Sequence, residues 1–339
     1  MKELVVDVHA HYIPALLYRR FAAEAAKFPS VRFDAEARRM QFPGAEQTRP
    51  ISPKLSDLAD RRAWMDQNAI DHQLLGGWLD IFGYELSAAE GLAWSRFYND
   101  CMREELRAEP RFTPLATVPL QDGRLAAEVL REALEQGFAG AMIGTLPRGN
   151  AGNLDDPSLD AFWQAASDAQ AAIFLHPMFL CGEPRLADYD LVNAIGRLAD
   201  SSIAVSRLIF SGHFLKFPGM KLVLSHGGAA LPYALGRLAR NHAISQGKYA
   251  DPRKGFEAMY FDSCVFDADA LEFLARKAGP GRVMLGSDMP FPIGDPQPRR
   301  AVETSGLSGE EKKSILGATA QRVFRLRADC EMCGRNPAA

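Results

Sequence analysis

The chain has 339 residues, a formal net charge of −3 and charged side chains at 24% of its positions. This near-neutral balance gives no electrostatic reason to expect binding to nucleic acid, whose phosphates attract strongly basic surfaces. A hydrophobic content of 47%, with no run near the ~18 apolar residues of a membrane span, indicates a water-soluble globular protein. Because the N-terminus shows no signal peptide, we expect a cytoplasmic location.

Short β-type runs alternate with longer helical patterns along the chain. The pattern predicts eight strands, at residues 4–8, 73–76, 114–118, 139–143, 172–175, 221–225, 259–262 and 282–286. Each strand is followed by a predicted helix, at residues 57–67, 88–109, 125–136, 158–169, 190–210, 231–242, 268–277 and 309–326. Ser308 is expected to cap the last of these helices.

Eight strand–helix units favour a closed barrel, because right-handed crossovers then bury every strand between parallel neighbours. The strands are apolar on both faces, as buried parallel strands are. We therefore predict an α/β protein with a (β/α)8 TIM barrel, formed by one domain over 1–339. An open, doubly wound sheet is the alternative.

Two segments stand outside the alternating pattern. Residues 12–56 are rich in Phe, Arg and Pro, and they follow the first predicted strand, so they should emerge at the catalytic face and form a cap over the site. Cys330 and Cys333 form a Cys-x-x-Cys pair in the polar tail 327–339. No second pair completes a zinc knuckle, so we expect the tail to be solvated and without a metal. The chain has five cysteines at scattered positions, which favours reduced thiols.

Polar side chains stand at the carboxyl ends of four predicted strands, where barrel enzymes carry their catalytic residues. His9 and His11 end the first strand two residues apart, so both side chains point to the same side. His176 ends the fifth strand, His226 ends the sixth, and Asp288 follows the eighth. Three imidazoles and one carboxylate suit a divalent metal, most simply zinc with Mn²⁺ as the alternative. We predict that His9, His11, His176 and Asp288 bind it.

His226 remains as a candidate general acid or base beside the metal, because the pKa of histidine is easily moved to near neutrality. The glycine pair 227–228 that follows would let the backbone approach a substrate closely. The other histidines lie away from strand ends that could carry chemistry, and we expect structural roles for His72, His213 and His242.

Four motifs together carry a family resemblance. They are Asp-Val-His-Ala-His-Tyr at 7–12, His-Pro at 176–177, Lys-Phe-Pro-Gly-Met-Lys-Leu-Val-Leu-Ser-His-Gly-Gly at 216–228 and Gly-Ser-Asp-Met-Pro-Phe-Pro at 286–292. This set resembles the amidohydrolase superfamily, and within it the branch of 2-amino-3-carboxymuconate-6-semialdehyde decarboxylase and related aromatic-acid decarboxylases. The resemblance implies a metal-dependent, oxygen-independent decarboxylase that acts on a small aromatic or muconate-type carboxylic acid.

The resemblance also implies roles for individual residues. It matches the four predicted metal ligands and gives His226 the part of the catalytic histidine. Arg49 and Arg237 match arginines that bind the substrate carboxylate, and Arg237 would act across the interface of a homodimer. The family's glycine triplet is Gly-Gly-Ala at 227–229 here, and its His-Pro-Trp is His-Pro-Met at 176–178, so the substrate is expected to differ.

Loss of CO2 leaves an electron pair on carbon, and His226 or Asp288 would deliver a proton to that carbon. The same metal site would also serve a hydrolase or hydratase acting on a ring-cleavage product, lactone or amide, so this alternative stays open. A catalytically silent binding protein is disfavoured, because the complete set of candidate ligands is present.

Overall fold

The computed structural model of the chain describes residues 4–149, 151–178 and 182–326, so the predicted tail with Cys330 and Cys333 lies outside the described residues. The strands are β1 (Val6–His11), β2 (Arg32–Asp34), β3 (Arg39–Gln41), β4 (His72–Gly76), β5 (Phe112–Pro114), β6 (Gly140–Gly144), β7 (Ala172–His176), β8 (Lys221–Leu224), β9 (Tyr260–Asp262) and β10 (Val283–Met284). All strand pairs are parallel except the hairpin formed by β2 and β3.

The parallel strands lie in two sheets that meet at both edges. One sheet has the order β1-β4-β5, and the other runs from β6 to β10 in chain order. Single parallel bridges connect them, between Ala116 and Ala141 on one side and between Ala10 and Met289 on the other. A backbone hydrogen bond of 2.9 Å from Val8 to Leu285 supports the second junction. The predicted (β/α)8 barrel is confirmed.

The α-helices are α1 (Ala15–Glu24), α2 (Leu58–Gln67), α3 (Ala88–Leu106), α4 (Gly123–Glu135), α5 (Asp160–Asp168), α6 (Arg197–Phe210), α7 (His213–Lys216), α8 (Leu231–Ile244), α9 (Pro252–Ala258), α10 (Ala268–Ala278), α11 (Arg299–Thr304), α12 (Gly309–Lys313) and α13 (Thr319–Val323). π-helical turns precede α6 at Val192–Gly196 and connect α12 to α13 at Ser314–Ala318. Ser308 caps α12 through a capping box with Glu311, as predicted. Within the described ranges, no helix is long and apolar enough to cross a membrane.

The first strand begins and ends later than the sequence pattern indicated. It covers Val6–His11, so His9 lies inside β1 and His11 is its last residue. The predicted strand 4–8 ends directly before His9. Pairing continues past that point because β4 lies opposite, with Ala10 against Leu75 and His11 against Gly76. A neighbouring strand thus overrides the local preference, and the period-2 argument still places both imidazoles on one side.

Residues 12–56 contain α1, the β2–β3 hairpin and a 3₁₀ turn at Pro53–Ser56. They pack against α3. Glu105 on α3 accepts hydrogen bonds from the Tyr12 hydroxyl and from the backbone of Ala15 and Leu16. The Trp94 ring on the same helix contacts three aromatic rings of the segment, those of Phe21, Phe28 and Phe42. These contacts fix the segment to the barrel wall, and its role as a cap stays a prediction.

His72 begins β4, and its Nε2 lies 2.9 Å from the Thr113 hydroxyl on β5. Burial, and then the charge of Arg111, lower the pKa of His72 from 6.5 to about 4. Between pH 6.5 and pH 4, His72 is therefore protonated in the unfolded chain but neutral in the folded chain. The free energy of unfolding consequently falls as the pH falls toward 4. At pH 5 this penalty amounts to about 2 kcal/mol.

Replacing His72 with glutamine should remove that penalty. Between pH 7.5 and pH 5, the free energy of unfolding of the wild type is expected to fall by about 2 kcal/mol more than that of H72Q. Urea unfolding of both proteins at the two pH values measures the difference, and all other titrating groups are common to both. Parallel losses in the two proteins would show that His72 is not the group responsible.

Candidate metal centre

Five polar side chains from the ends of four strands converge at the carboxyl end of the barrel. The Nε2 atoms of His9 and His11 are 3.3 Å apart, and Oδ1 of Asp288 lies 3.3 Å from the first and 3.1 Å from the second. Nε2 of His176 is 4.0 Å from the same oxygen, and Nε2 of His226 is 3.6 Å from Asp288 Oδ2. The structure thus brings all four predicted ligands and the predicted catalytic histidine together.

Two of these atoms are buried and have no hydrogen-bond partner among the residues that the structure describes. They are Nε2 of His176 and Oδ1 of Asp288, which face each other. Buried polar atoms are rarely left unsatisfied, and a metal ion bound between them would satisfy both. Ligand atoms of His9, His176, His226 and Asp288 all lie within 4.8 Å of one another. Imidazoles and a carboxylate at such spacing fit a divalent metal, with either His11 or His226 completing the set.

The protonation states of three predicted ligands, Asp288, His11 and His176, favour metal binding, whereas His9 has to release a proton before it can bind. Although burial raises the pKa of a carboxyl group, the positive charge of His9 and contacts with three histidines hold the pKa of Asp288 well below its usual range. Burial lowers the pKa values of His11 and His176. Asp288 is therefore ionised while these two imidazoles are neutral, and these are the forms that bind metal. Burial opposes a charge on His9 as well, but Asp288 and Asp262 raise its pKa to about 10.

Several residues at this site have a positive φ, a backbone conformation that residues other than glycine rarely adopt. His226 and Asp288 have φ values of 54° and 61°. Gly228 has a φ of 77°, and a Cβ at this position would lie 2.6 Å from the Phe261 ring, so glycine is required. Ala229 follows with φ 57° and ψ −127°, a conformation that favours glycine, although this chain has alanine where the family motif has its third glycine. Such strain concentrates at functional sites.

A cavity of about 510 Å³ opens beside His226 and Asp288. Its wall combines these two residues with one arginine and mostly apolar neighbours, namely Asn193, Ala194, Arg197, Leu198, Ala229, Cys264, Val265, Phe266 and Ile293. A pocket of this size holds a small molecule, and a largely apolar wall with a few polar groups is typical of a ligand site. Arg197 had no role in the sequence interpretation.

The two arginines predicted to bind substrate lie in different places. Arg49 pairs with Asp80 at 3.3 Å and stacks over the Trp78 ring at 5.4 Å. Burial raises the pKa of Asp80, and the positive charges of Arg49 and Arg197 oppose that shift. Arg237 is exposed on α8 and is not among the described residues that line the cavity. Its predicted action on a second subunit stays a prediction.

Comparison with known proteins identifies the family. A model of the amidohydrolase family matches residues 6–326, nearly the whole chain. The chain belongs to this family. A relative, 2-amino-3-carboxymuconate-6-semialdehyde decarboxylase from Dictyostelium discoideum, is 28% identical over 336 residues, which cover 96% of this chain and 92% of that protein.

Solved structures agree with the family assignment. The structure of 5-carboxyvanillate decarboxylase from Sphingomonas paucimobilis has a TM-score of 0.80 at 26% identity and covers 96% of this chain and 100% of that one. The enzyme of the same name from Novosphingobium aromaticivorans, complexed with manganese, has the same fold, with a TM-score of 0.78 at 23% identity over 95% and 96% of the two chains. The resemblance read from the motifs is confirmed, and these relatives are carboxy-lyases.

One further carboxylate lies beside the candidate metal centre of this amidohydrolase, and the sequence did not predict it. Asp262 ends β9, and its Oδ2 lies 2.6 Å from Nδ1 of His9. Its other oxygen accepts hydrogen bonds from the backbone of Gly227 at 2.8 Å and Cys264 at 3.1 Å. The carboxylate thus orients both a candidate ligand and the loop that follows His226. The position was recognisable, because Asp262 ends a barrel strand just as His176 does.

A second missed feature lies beneath the metal centre. Arg61 is fully buried on α2 and donates to the backbone oxygen of His11 at 2.6 Å and to the Gln73 side chain at 2.8 Å. Gln73 in turn donates to Asp7 at 2.7 Å, and the Ser287 hydroxyl donates to the same carboxylate oxygen at 2.6 Å. This buried network, formed by Arg61, Gln73, Asp7 and Ser287, connects α2 to β1, β4 and the loop that carries Asp288.

Proposed function

We propose that this amidohydrolase is a metal-dependent decarboxylase that removes CO2 from a small aromatic or muconate-type carboxylic acid. The observation that carries the proposal is the convergence of four histidines and Asp288 beside a largely apolar cavity. Relatives that match almost the full length of the chain are decarboxylases. An apolar wall suits a flat, unsaturated carbon skeleton, while the polar end suits its oxygen substituents.

One divalent ion is assigned to His9, His11, His176 and Asp288. When bound, it supplies a positive charge that withdraws electrons from an oxygen of the substrate or activates a water molecule. Zinc is the proposed ion, because imidazole nitrogens and carboxylate oxygens are common zinc ligands. Manganese is the alternative, since it occupies a structurally similar decarboxylase and such sites accept several first-row ions.

His226 is proposed to hold and deliver the proton. Its Nε2 lies 3.6 Å from Asp288 Oδ2, and its Nδ1 is buried without a hydrogen-bond partner among the described residues. The imidazole lines the cavity together with Asp288, so either group can face the carbon atom from which CO2 departs. Proton delivery to that carbon completes the reaction.

Arg49 and Arg237 are proposed to contact the carboxylic acid, because the guanidinium group can bind a carboxylate through two parallel hydrogen bonds. Arg49 would do so from its position beside Asp80. Arg237 is exposed on α8 and would act only from a second copy of the chain, so this assignment requires a homodimer. Size measurement in solution tests that requirement.

The first experiment combines metal analysis of the purified protein with a screen for released CO2 over hydroxybenzoates, carboxyvanillate, aminocarboxymuconate semialdehyde and pyridine carboxylates. One metal per chain and CO2 from any of these acids would support the proposal. Metal with hydration or hydrolysis but no CO2 would replace it with the hydratase or hydrolase alternative. Failure to bind metal after reconstitution would contradict the assignment altogether.

Replacing Asp262 with asparagine should weaken metal binding by about tenfold to a hundredfold, because an amide cannot accept from both His9 and the Gly227 backbone. Competition with a chelator of known affinity measures the change. Asp267→Asn is the matched control, since Asp267 caps α10 and asparagine caps a helix equally well. Unchanged metal affinity in D262N would mean that this carboxylate does not orient His9 for binding.

A further inference from the structure

Arg197 lies at the first position of α6, directly after the π-helical turn Val192–Gly196. Its half-buried side chain lines the same cavity as His226 and Asp288. Burial lowers the pKa of Arg197, and the negative charges of Asp288 and Asp80 oppose that shift. A π-helical turn shifts the residues that follow it around the helix, and such turns occur frequently at functional sites. Here the turn also places Asn193 on the cavity wall.

The position of Arg197 is fixed by the loop that carries a candidate metal ligand. Its Nη1 donates to the backbone oxygen of Pro177 at 3.3 Å, and the same oxygen lies 2.9 Å from Nδ1 of His176. One turn later on α6, buried Asp200 accepts hydrogen bonds from the Met178 backbone at 2.8 Å and from the Thr145 hydroxyl at 2.5 Å. Helix α6 is therefore anchored to the residues that follow His176 by Arg197 itself and by Asp200 one turn later.

We infer that Arg197, with Asn193 beside it, binds a carboxylate that stays on the substrate, so that the enzyme selects diacids over monoacids. The inference rests on the proposed decarboxylase function, because only a decarboxylase distinguishes a retained carboxylate from a departing one. A guanidinium in a largely apolar cavity is a strong site for a carboxylate. We assign Arg197 to the carboxylate that the substrate retains and not to the one that leaves. The departing carboxylate loses its charge as CO2 forms, so an arginine paired with it would stabilise the reactant more than the transition state.

The test compares binding of a diacid and a monoacid of the same skeleton, isophthalate and benzoate, by calorimetry. Wild-type protein is expected to bind isophthalate more tightly. Arg197→Met should weaken isophthalate binding by about tenfold to a hundredfold and change benzoate binding by less than about threefold. Arg197→Lys should recover part of the preference, because lysine restores the charge without the planar fork.

Arg207→Met is the matched control. Arg207 lies on the same helix but pairs with Asp155 on the exposed surface, at 2.7 Å and 2.9 Å, so its loss should leave both affinities unchanged. Equal isophthalate affinity in wild type and R197M would overturn the inference, as would an equal loss for both acids, which indicates general damage to the cavity.

These measurements separate the inference from the proposed function. An Arg197-dependent preference for isophthalate in a protein that releases no CO2 from any acid would support the carboxylate site and contradict decarboxylation. If the wild type releases CO2 and R197M keeps the same preference for diacids, decarboxylation would be supported and the Arg197 carboxylate site would be contradicted. Kinetics on an active diacid add a further check, since R197M should raise KM for the diacid more than for the matching monoacid.

Discussion

Replacing His226 with alanine is expected to leave one divalent metal per chain while lowering kcat by about 10²–10⁴-fold, the usual contribution of a general acid or base. The predicted ligand set is complete without His226, because His11 Nε2 lies 3.1 Å from Asp288 Oδ1. Metal content by atomic spectroscopy and steady-state rates of CO2 release provide the two readouts. A proton donor lost from the cavity should affect turnover without affecting metal occupancy.

The geometry makes this a sharp test, because His226 also lies within reach of the candidate metal position. Loss of metal from H226A would make His226 a ligand and leave the acid–base role to another group. His242→Ala serves as the control. His242 lies on α8, where its Nδ1 is 2.9 Å from the Tyr249 backbone oxygen, and its removal should change neither metal content nor rate.

Replacing Arg61 with methionine is expected to destabilise the fold by about 3–5 kcal/mol. Methionine fills a similar volume but cannot donate, so the His11 backbone oxygen and the Gln73 side chain each lose a buried hydrogen bond. Asp7 also loses a nearby positive charge. Burial lowers the pKa of Arg61 to about 10, so the guanidinium stays charged at neutral pH and the loss applies there in full. Urea unfolding measures the effect.

Arg62→Met is the neighbouring control. Arg62 pairs with Glu109 at 2.6 Å on the surface, where the side chain is 40% exposed, and such exposed pairs contribute about 1 kcal/mol or less. A similar loss of stability in R61M and R62M would show that the buried network contributes no more to the free energy of unfolding than an exposed ion pair does. R61M should also bind metal more weakly, because the His11 backbone is held by Arg61.

The site was largely predictable where one rule of local geometry applied. His9 and His11 share a side of β1 because strand side chains alternate, whatever the exact end of the strand. His176, His226 and Asp288 were found because the carboxyl ends of barrel strands meet at one face. Asp262 meets the same criterion, and its contact with His9 shows that it belongs to the site.

Other residues could not be found in this way, because their roles depend on distances between elements remote in the sequence. Arg61 resembles any helical surface arginine until α2 is placed beneath β1 and β4, where its side chain becomes fully buried. Arg197 reaches the cavity because a π-helical turn precedes it and because Asp200 anchors α6 to the loop after β7. Neither the π-helical turn nor the contact of Asp200 can be predicted from a local sequence pattern.

The sequence by itself therefore determined the barrel, the ligand types and the face on which they meet, since periodicity and strand order are local properties of the chain. Only the tertiary structure decided which groups surround those ligands: Asp262 behind His9, the buried network under His11, and Arg197 in the wall of the cavity that Asp288 also lines. The physical reason is that burial, charge and hydrogen bonding depend on neighbours brought together by folding, and these neighbours determine protonation, orientation and the acid that the site selects.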